Sequence, residues 1–293
     1  MPRISYINGR YLAHHDASIS IDDRAFLFSD SVYEVCAIIN GIIADEVGHL
    51  DRLWRSMTEL QIHPPHSRGV LKLIMREVLR RNRLRNASLY IQVTRGSAAR
   101  DFKFPSQNVG ANLIMVVRPA HFDREMQKQK AQKAYTTPDL RWRRRDIKST
   151  SLLAQVLAKQ FSVDKGGYEA FLVDENGYIT EGASSNIWIV KNNELITRPT
   201  EHNMILKGVT RHALQKLAIT HHLKITERAF TVDECLKADE VFTSSAVALF
   251  VPITMVDNQM IGTGKIGAIT SKIIDYYFDY TLNQNEQFHW DPK

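Results

Sequence analysis

The stretch RWRRRDIKSTSLLAQVLAKQ, residues 141–160, places four arginines directly ahead of Asp146 and Lys148. The apolar spacing after them predicts a helix over about 150–165. Lys148 has two interpretations. By composition, it is one more cation on a solvated or phosphate-binding basic surface. By position, it lies between a β-branched residue and a helix start, where partial burial favours the neutral amine that can form a Schiff base.

Strand periodicity suggests how the arginines themselves are arranged. If residues 141–145 form a strand, Arg141, Arg143 and Arg145 share one side, and Trp142 and Arg144 share the other. Most of these arginines are then expected to be surface or dimer-interface charges. A basic nucleic-acid-binding protein is the distant alternative, although aromatic residues are interleaved with the basic ones only at Trp142.

On either side of this stretch, the chain predicts strands joined by tight turns and helices with one apolar face. Asn-Gly pairs at 8–9, 40–41 and 176–177 predict hairpins. An apolar stripe from Leu50 to Leu60 predicts a helix, and further helices are expected over about 67–83, 207–222 and 265–282. The fold class is therefore mixed α/β (α+β). Two domains are expected, over 1–120 and 121–293, with a linker near residues 118–124 where the sequence turns polar and proline-marked.

Composition fits an ordinary soluble protein and leaves the partner open. The 293 residues are 44% hydrophobic and 24% charged, and the net charge of +6 permits anionic small molecules or weak attraction to nucleic acid. Cys36 and Cys235 lie far apart, which predicts reduced thiols and a cytoplasmic location. There is no signal-peptide pattern, no apolar run of about 18 residues and no metal-ligand spacing among the 11 histidines. No secretion, membrane span or metal site is therefore expected.

Three polar islands interrupt the apolar patterns of the second half. They are TEGASSN (180–186), LKGVTR (206–211) and FTSSA (242–246). Each combines small, hydroxyl or glycine residues at a strand end or helix start, where backbone N–H groups and hydroxyls can cradle a phosphate. Taken alone, each is as well explained by a helix cap or a turn. Together with Lys148 and Glu181, they supply an amine, a carboxylic acid and donors that can bind an anion.

The motifs carry a specific resemblance. DIKS (146–149), ITEGASSN (179–186), MILKGVTR (204–211) and FTSS (242–245) occur in the order found in fold-type IV pyridoxal-phosphate enzymes, and the segments DDRAFLFSDSVYEV, HLDRLWRS and LYIQVTRGSAARDFKFP also fit that class. The chain resembles the class over nearly its whole length. The resemblance implies a smaller N-terminal α/β domain, a larger C-terminal domain with a barrel-like β core, and pyridoxal 5′-phosphate as cofactor. It also implies a homodimer whose partner subunit completes the active site.

The resemblance assigns a role to each matching residue of the cofactor site. Lys148 is implied to be the Schiff-base lysine and proton carrier, and Glu181 the acid that faces the pyridine nitrogen. The remaining cofactor-binding residues are implied to be Arg52, Val209, Thr210 and Ser245 at the phosphate, and Leu206 against the ring face.

VYEV (32–35) and QVTRG (92–96) resemble the D-amino acid (D-alanine) aminotransferase branch, in which a tyrosine, an arginine and a histidine hold the substrate α-carboxylate. Tyr33 and Arg100 match the first two, but Phe102 stands where the histidine is usual. Either the carboxylate clamp is weakened, with tolerance for simple amines, or Phe102 only packs and Lys103 compensates. His49 is a further substrate-site candidate, as part of the network around Lys148 or Tyr33, or a plain histidine at a helix start.

The expected activity is ping-pong transamination between a D-amino acid, of the D-alanine or D-glutamate type, and a 2-oxo acid through Lys148. An (R)-selective amine or branched-chain amino acid aminotransferase of the same fold is the alternative. The expected partners are small-molecule amino acids and 2-oxo acids, with no nucleic acid and no membrane.

Overall fold

The computed structural model describes residues 3–284, which form fifteen strands and eight α-helices. Backbone contacts divide the chain into two units. Among the described residues, unit 1 comprises 3–122, Ile147–Ser151 and 281–284, and unit 2 comprises Asp123–Asp146 and Leu152–Tyr280. The chain leaves unit 1 after Phe122, inside the predicted linker, but it returns for the five residues that include Lys148. A single cut in the sequence therefore does not describe the division.

Unit 1 is one antiparallel sheet with helices packed on one face. Its strands follow the order β2-β1-β6-β5-β3-β4, and residues such as Leu53, Met75 and Ile91 form a core between the sheet and the helices. The elements are β1 (Ile4–Ile7), β2 (Arg10–Ala13), α1 (Arg24–Phe28), β3 (Ser31–Ile39), β4 (Ile42–Ile43), α2 (Glu46–Glu59), α3 (Arg68–Asn82), β5 (Ala87–Thr94) and β6 (Asn112–Pro119).

The hairpins predicted at the first two Asn-Gly pairs are confirmed. Asn8 and Gly9 have φ of 46° and 87°, and Asn40 and Gly41 have φ of 52° and 86°. Left-handed φ at both central residues matches the right-handed twist of the flanking strands, and asparagine and glycine tolerate this conformation best. These turns join β1 to β2 and β3 to β4 in antiparallel register.

Unit 2 contains a nine-stranded mixed sheet that curls into a half-barrel. Its strands follow the order β12-β11-β10-β13-β14-β7-β8-β9, and β15 pairs with β14. The elements are α4 (Arg124–Lys128), β7 (Gln132–Pro138), α5 (Leu153–Asp164), β8 (Glu169–Val173), β9 (Ile179–Gly182), β10 (Asn186–Lys191), β11 (Glu194–Thr197), α6 (Val209–Thr220), β12 (Lys224–Glu227), α7 (Val232–Leu236), β13 (Glu240–Ser245), β14 (Leu249–Val256), β15 (Gln259–Met260) and α8 (Ala268–Leu282).

The helix after Lys148 begins later than its apolar spacing predicts. It starts at Leu153 because the preceding residues are bonded to β3 as an extended segment. The Tyr33 N–H donates to the Lys148 carbonyl at 3.0 Å, the Thr150 N–H donates to the Ser31 carbonyl at 3.1 Å, and Ser149 forms an isolated bridge with Val32. These bonds make Ile147–Ser151 part of unit 1.

The strand predicted over residues 141–145 is wrong. This segment has no regular secondary structure, and β7 ends before it at Pro138. The Arg141 N–H donates to the Asp139 carboxylate two residues earlier, a side-chain turn that competes with strand pairing. The chain therefore bends directly after β7.

Cys36 and Cys235 are both buried and form no disulfide. Within residues 3–284, no helix is both long enough and apolar enough to cross a membrane.

Candidate active site

Lys148 has a defined position within unit 1. Its backbone is bonded to β3 at Tyr33 and, through its own N–H, to Ser56 Oγ of α2 at 3.3 Å. The side chain is partly buried, and its Nζ lies 4.2 Å from the centroid of the Tyr33 ring. The amine is thus set against an aromatic face rather than extended into solvent on a basic surface.

A buried ionic cluster lies on the other face of β3. Glu34 is 0% exposed and follows Tyr33, so the two side chains point to opposite faces of the sheet. Arg52 donates from Nε to Glu34 Oε1 at 2.7 Å and from Nη2 to Oε2 at 2.8 Å. His49 Nδ1 lies 2.7 Å from the same Oε2. His49 and Arg52 are one turn apart on α2, which lets both reach one carboxylate.

The Glu34 carboxylate is strongly acidic in this cluster. Burial opposes its ionisation, but the charges and hydrogen bonds of Arg52 and His49 outweigh burial and lower the pKa of Glu34 to about 2. Glu34 in turn raises the pKa of Arg52 above its usual value, although burial acts in the opposite direction. The cluster therefore fixes the Arg52 guanidinium in a charged and oriented state. The nearest described partner of His49 is Glu34.

A chain of hydrogen bonds lies on the Tyr33 side of the sheet. Tyr90 Oη donates to Gln92 Oε1 at 2.8 Å, Gln92 Nε2 donates to Ser31 Oγ at 3.0 Å, and Ser31 Oγ lies 2.6 Å from Thr150 Oγ1. The Tyr33 and Tyr90 rings stack at 5.7 Å. Burial and neighbouring Tyr33 raise the pKa of Tyr90 to about 12, so its hydroxyl remains a donor. This network orders the lysine segment through Thr150.

Arg100 and Phe102 lie in an exposed loop of unit 1. The Arg100 guanidinium lies 5.3 Å from the Phe28 ring centroid and 5.6 Å from that of Phe102. Phe102 is 81% exposed, and its ring lies 5.5 Å from Phe28. Lys103 is paired with Asp101 at 3.4 Å. Within the part of the chain that the structure describes, Arg100 therefore has aromatic neighbours rather than a bound carboxylate.

Glu181 of unit 2 is buried at the centre of a donor cluster. Arg141 Nη1 donates to its Oε1, Asn186 Nδ2 donates to Oε2 at 3.0 Å, and the Leu206 N–H lies 3.2 Å from both oxygens. Burial raises the pKa of Glu181 above its usual value, although the Arg141 charge and the Leu206 N–H act in the opposite direction. A buried carboxylate with these donors can face and stabilise a protonated ring nitrogen.

Arg141 belongs to the candidate site, although it was expected to be a surface or dimer-interface charge. Its side chain is 5% exposed, and it bridges Glu181 and Asp139, with Nε–Oδ1 and Nη2–Oδ2 distances to Asp139 of 2.9 and 2.7 Å. Thr180 Oγ1 also donates to Asp139 at 2.7 Å. Arg145 is largely enclosed too, at 11% side-chain exposure, so the expectation of mainly surface arginines is wrong for two of the four. No local pattern distinguished Arg141 from its neighbours.

The segment after Leu206 has the features of a phosphate cradle. Helix α6 begins at Val209, and Thr210 is 2% exposed, with an Oγ1 that has no hydrogen-bond partner in the described residues. Glycine at position 208 allows a close approach, because a Cβ there would lie 2.0 Å from Asn186 Oδ1 and would displace that side chain. An orphan buried hydroxyl at a helix N-terminus suits a dianionic group. Ser245, at the end of β13, is half-buried.

Asn186 brings the acid and this segment together. Its Nδ2 donates to Glu181 and also to the Leu206 carbonyl at 3.1 Å, and its Oδ1 lies against Gly208. The sequence motif included Asn186, but only the structure shows that it links the two parts. The donor set and the orphan Thr210 hydroxyl fit pyridoxal 5′-phosphate, with a carboxylate for the ring nitrogen and donors for the phosphate.

Comparison with known proteins gives consistent matches. The family model for amino-transferase class IV matches residues 31–256. The D-alanine aminotransferase of Bacillus licheniformis is 38% identical over 269 residues, covering 91% of this chain and 93% of that protein. The D-alanine aminotransferase of Staphylococcus haemolyticus is 33% identical over 276 residues, covering 94% and 96%.

Solved structures show the same fold at lower identity. The branched-chain amino acid aminotransferase of Escherichia coli superposes with a TM-score of 0.88 at 24% identity, covering 95% of this chain and 94% of that one. The T.th. branched-chain amino acid aminotransferase, complexed with N-(5′-phosphopyridoxyl)-L-glutamate, has a TM-score of 0.87 at 24% identity, covering 97% and 96%.

Proposed function

Because the chain belongs to the class IV aminotransferases, we propose that it transfers an amino group between a D-amino acid and a 2-oxo acid, with pyridoxal 5′-phosphate as its cofactor. The observation that carries the substrate class is the 38% identity to a D-alanine aminotransferase over 91% of the chain. The structures of branched-chain enzymes, at 24% identity, support the fold alone. The proposed substrate class therefore rests on the D-alanine aminotransferases, which are more similar in sequence.

The bound cofactor would supply an electron sink that stabilises negative charge at the substrate Cα. Lys148 Nζ is assigned two tasks, covalent attachment of the cofactor and removal of the Cα proton of the amino acid. Its backbone bonds to Tyr33 and Ser56 hold the segment that carries the amine. This anchoring restricts where the amine can reach, as a proton carrier requires.

Glu181 is assigned to the ring nitrogen of the cofactor. Its two oxygens are oriented by Arg141, Asn186 and the Leu206 N–H, so the carboxylate cannot rotate freely. Burial raises the pKa of Glu181, but the Arg141 charge and the Leu206 N–H lower it, so these donors support the ionised carboxylate that would stabilise a protonated ring nitrogen. Arg141 is assigned as a positioning residue that acts through Glu181.

The remaining cofactor contacts are assigned by charge and position. Arg52 carries a fixed positive charge and is assigned to the phosphate, as are the N-terminus of α6 at Val209 and Thr210, and Ser245. Leu206 is assigned to the ring face.

The carboxylate of the amino acid is assigned to Tyr33 and Arg100. Phe102 cannot donate a hydrogen bond, so a clamp that uses histidine at this position would lose one donor, worth about 1–3 kcal/mol. This supports a weaker preference for substrates with a carboxylate and some acceptance of simple (R)-amines. His49, which is buried and bonded to Glu34, is assigned as a positioning residue for Arg52.

A homodimer in the cytoplasm is the proposed state of the protein. Phe26, Phe102 and Phe104 of unit 1 are 72%, 81% and 52% exposed, and exposed aromatic residues near an arginine are typical of protein interfaces. The two buried cysteines, which form no disulfide, fit a reducing compartment. Size-exclusion chromatography with light scattering measures the molar mass in solution. The mass of a monomer would contradict the proposed dimer.

The activity is tested with a panel of amino donors. D-alanine, D-glutamate, L-leucine and an (R)-amine are compared as donors to pyruvate and 2-oxoglutarate by steady-state kinetics. We expect the highest kcat/KM for a D-amino acid. A higher value for L-leucine or for the (R)-amine would replace the proposal by the corresponding aminotransferase.

The cofactor is tested independently of turnover. Purified protein is expected to absorb in the visible range, and borohydride reduction followed by peptide mapping should place the cofactor on Lys148. Protein that gains no absorbance with pyridoxal 5′-phosphate would contradict the assignment. A Lys148→Ala variant is the control, since it should bind the cofactor without covalent attachment.

A further inference from the structure

A cleft of about 920 Å³ lies in unit 2, and none of the residues assigned to the cofactor lines it. Its walls are the end of β7 with the loop after it, the turn after β8, and the segment that contains His202 and Met204. Two arginines of the loop, Arg143 and Arg145, line it together. We call it the Arg143–Arg145 cleft.

The two aspartates of the cleft wall are already bound to other groups. Asp139 accepts two hydrogen bonds from the Arg141 side chain and one from Thr180. Asp174 accepts from Arg198 Nη2 at 3.0 Å, and its other oxygen accepts two backbone N–H groups. Glu175 lies at the exposed rim. The carboxylates of the cleft wall therefore accept hydrogen bonds from other groups, and none accepts one from Arg143 or Arg145.

Arg145 is nearly buried, and no oxygen within residues 3–284 accepts a hydrogen bond from it. Its side chain is 11% exposed, and its Nε lies 3.5 Å from Asp139 Oδ2, too far for a good hydrogen bond, so Nε is left unsatisfied. Nη1 reaches only Met204 Sδ, at 3.6 Å. Burial lowers the pKa of Arg145 despite the nearby Asp139, which indicates an incompletely compensated charge.

A largely enclosed guanidinium with so few acceptors is costly, because arginine has five N–H donors and remains charged. Arg143 adds a second guanidinium, which is exposed and has no ion pair within residues 3–284. Two guanidinium groups beside an open space can donate hydrogen bonds to the oxygens of a planar carboxylate or a tetrahedral phosphate. We propose that the Arg143–Arg145 cleft binds a small molecule through a carboxylate or phosphate group, held by both arginines.

Calorimetric titration of the protein saturated with pyridoxal 5′-phosphate tests this site, because saturation fills the phosphate site of the cofactor. Inorganic phosphate and succinate serve as separate probes for the two oxyanion types. The variants are Arg145→Gln and Arg143→Gln. Arg118→Gln, an exposed arginine on β6 of unit 1, is the charge-matched control.

We expect saturable binding of one probe per chain, weakened at least about tenfold in each cleft variant and unchanged in the control. Binding of phosphate alone identifies a phosphoryl ligand, and binding of succinate identifies a carboxylate ligand. The absence of saturable binding for both probes overturns the proposal. So does binding that Arg143→Gln leaves unchanged, or that Arg118→Gln weakens equally. Because Arg143 is exposed, its variant keeps the test valid even if Arg145→Gln does not fold.

Discussion

Arg52 and Glu34 form a two-point ion pair inside unit 1, with nitrogen–oxygen distances of 2.7 and 2.8 Å and a carboxylate that is fully buried. The pair joins α2 to β3. It orients the arginine assigned to the cofactor phosphate, so one contact supports both the fold and the proposed site.

The first prediction concerns the stability of this pair. Glu34→Gln removes the negative charge that compensates the buried Arg52 guanidinium. We expect the free energy of unfolding to fall by about 3–5 kcal/mol, measured by urea denaturation. Glu201→Gln, at an exposed position of unit 2, is the control and should change it by less than about 0.5 kcal/mol. A loss in Glu34→Gln as small as that of the control would contradict the role of the pair.

The second prediction concerns acid. The pKa of Glu34 falls from an ordinary value of 4.5 to about 2 in the folded protein, so the unfolded state binds the proton more readily. The resulting stabilisation, about 3 kcal/mol, is present above pH 4.5 and is lost as the pH falls towards 2. Unfolding free energies measured over this range should decline more steeply for the native protein than for Glu34→Gln. If the two proteins lose stability equally as the pH falls, a group other than Glu34 determines the acid sensitivity.

The third prediction concerns Arg141. Arg141→Met removes the cation that lowers the pKa of Glu181, so that pKa should rise further. We expect kcat to fall at least about tenfold, because a charge-assisted hydrogen bond is worth about 1.5–3 kcal/mol. The pH dependence of the visible absorbance of the bound cofactor should also shift. Arg118→Met, which removes an exposed arginine on β6 of unit 1, is the charge-matched control. A lower kcat with an unshifted pH profile would indicate a purely structural role.

The fourth prediction concerns the orphan hydroxyl. Thr210→Ala should weaken binding of pyridoxal 5′-phosphate about tenfold, as measured by titration of the cofactor-free protein, since one hydrogen bond to an anion is lost. The free energy of unfolding of the cofactor-free protein should fall by only about 1 kcal/mol, from the loss of one buried methyl group, because Thr210 Oγ1 has no partner in the described chain. Thr210→Ser should retain the affinity, and Thr220→Ala, at the exposed end of α6, is the control. Equal affinities in all three variants would remove Thr210 from the site.

The fifth prediction concerns Phe102. Phe102→His should lower KM for D-alanine about fivefold or more and leave KM for an (R)-amine unchanged, because the added donor acts only on a carboxylate. Lys103→Ala tests the alternative that Lys103 replaces the missing histidine. A rise in KM for D-alanine in this variant would show that Lys103 contacts the carboxylate. If neither change affects KM for D-alanine, neither residue contacts the carboxylate.

Local patterns in the sequence determined much of this protein. Asn-Gly pairs specify their turns through the backbone conformations that they tolerate, and apolar stripes specify α2, α3, α6 and α8 within a few residues. Motifs around Lys148 and Glu181 were sufficient to recognise the family, because the chemistry of the cofactor demands an amine, an acid and phosphate donors.

Only the tertiary structure decided which partners these residues have. Arg141 and Glu181 are 40 positions apart, and Arg52 and Glu34 are 18 apart. The four arginines of RWRRR have the same residue type but different surroundings. Arg141 is hydrogen-bonded to Glu181, Arg145 lines a cleft and has no oxygen acceptor among the described residues, and the other two are at least partly exposed. Burial and pairing arise from chain segments that meet in space, and no local periodicity encodes which of several neighbouring charges will be enclosed.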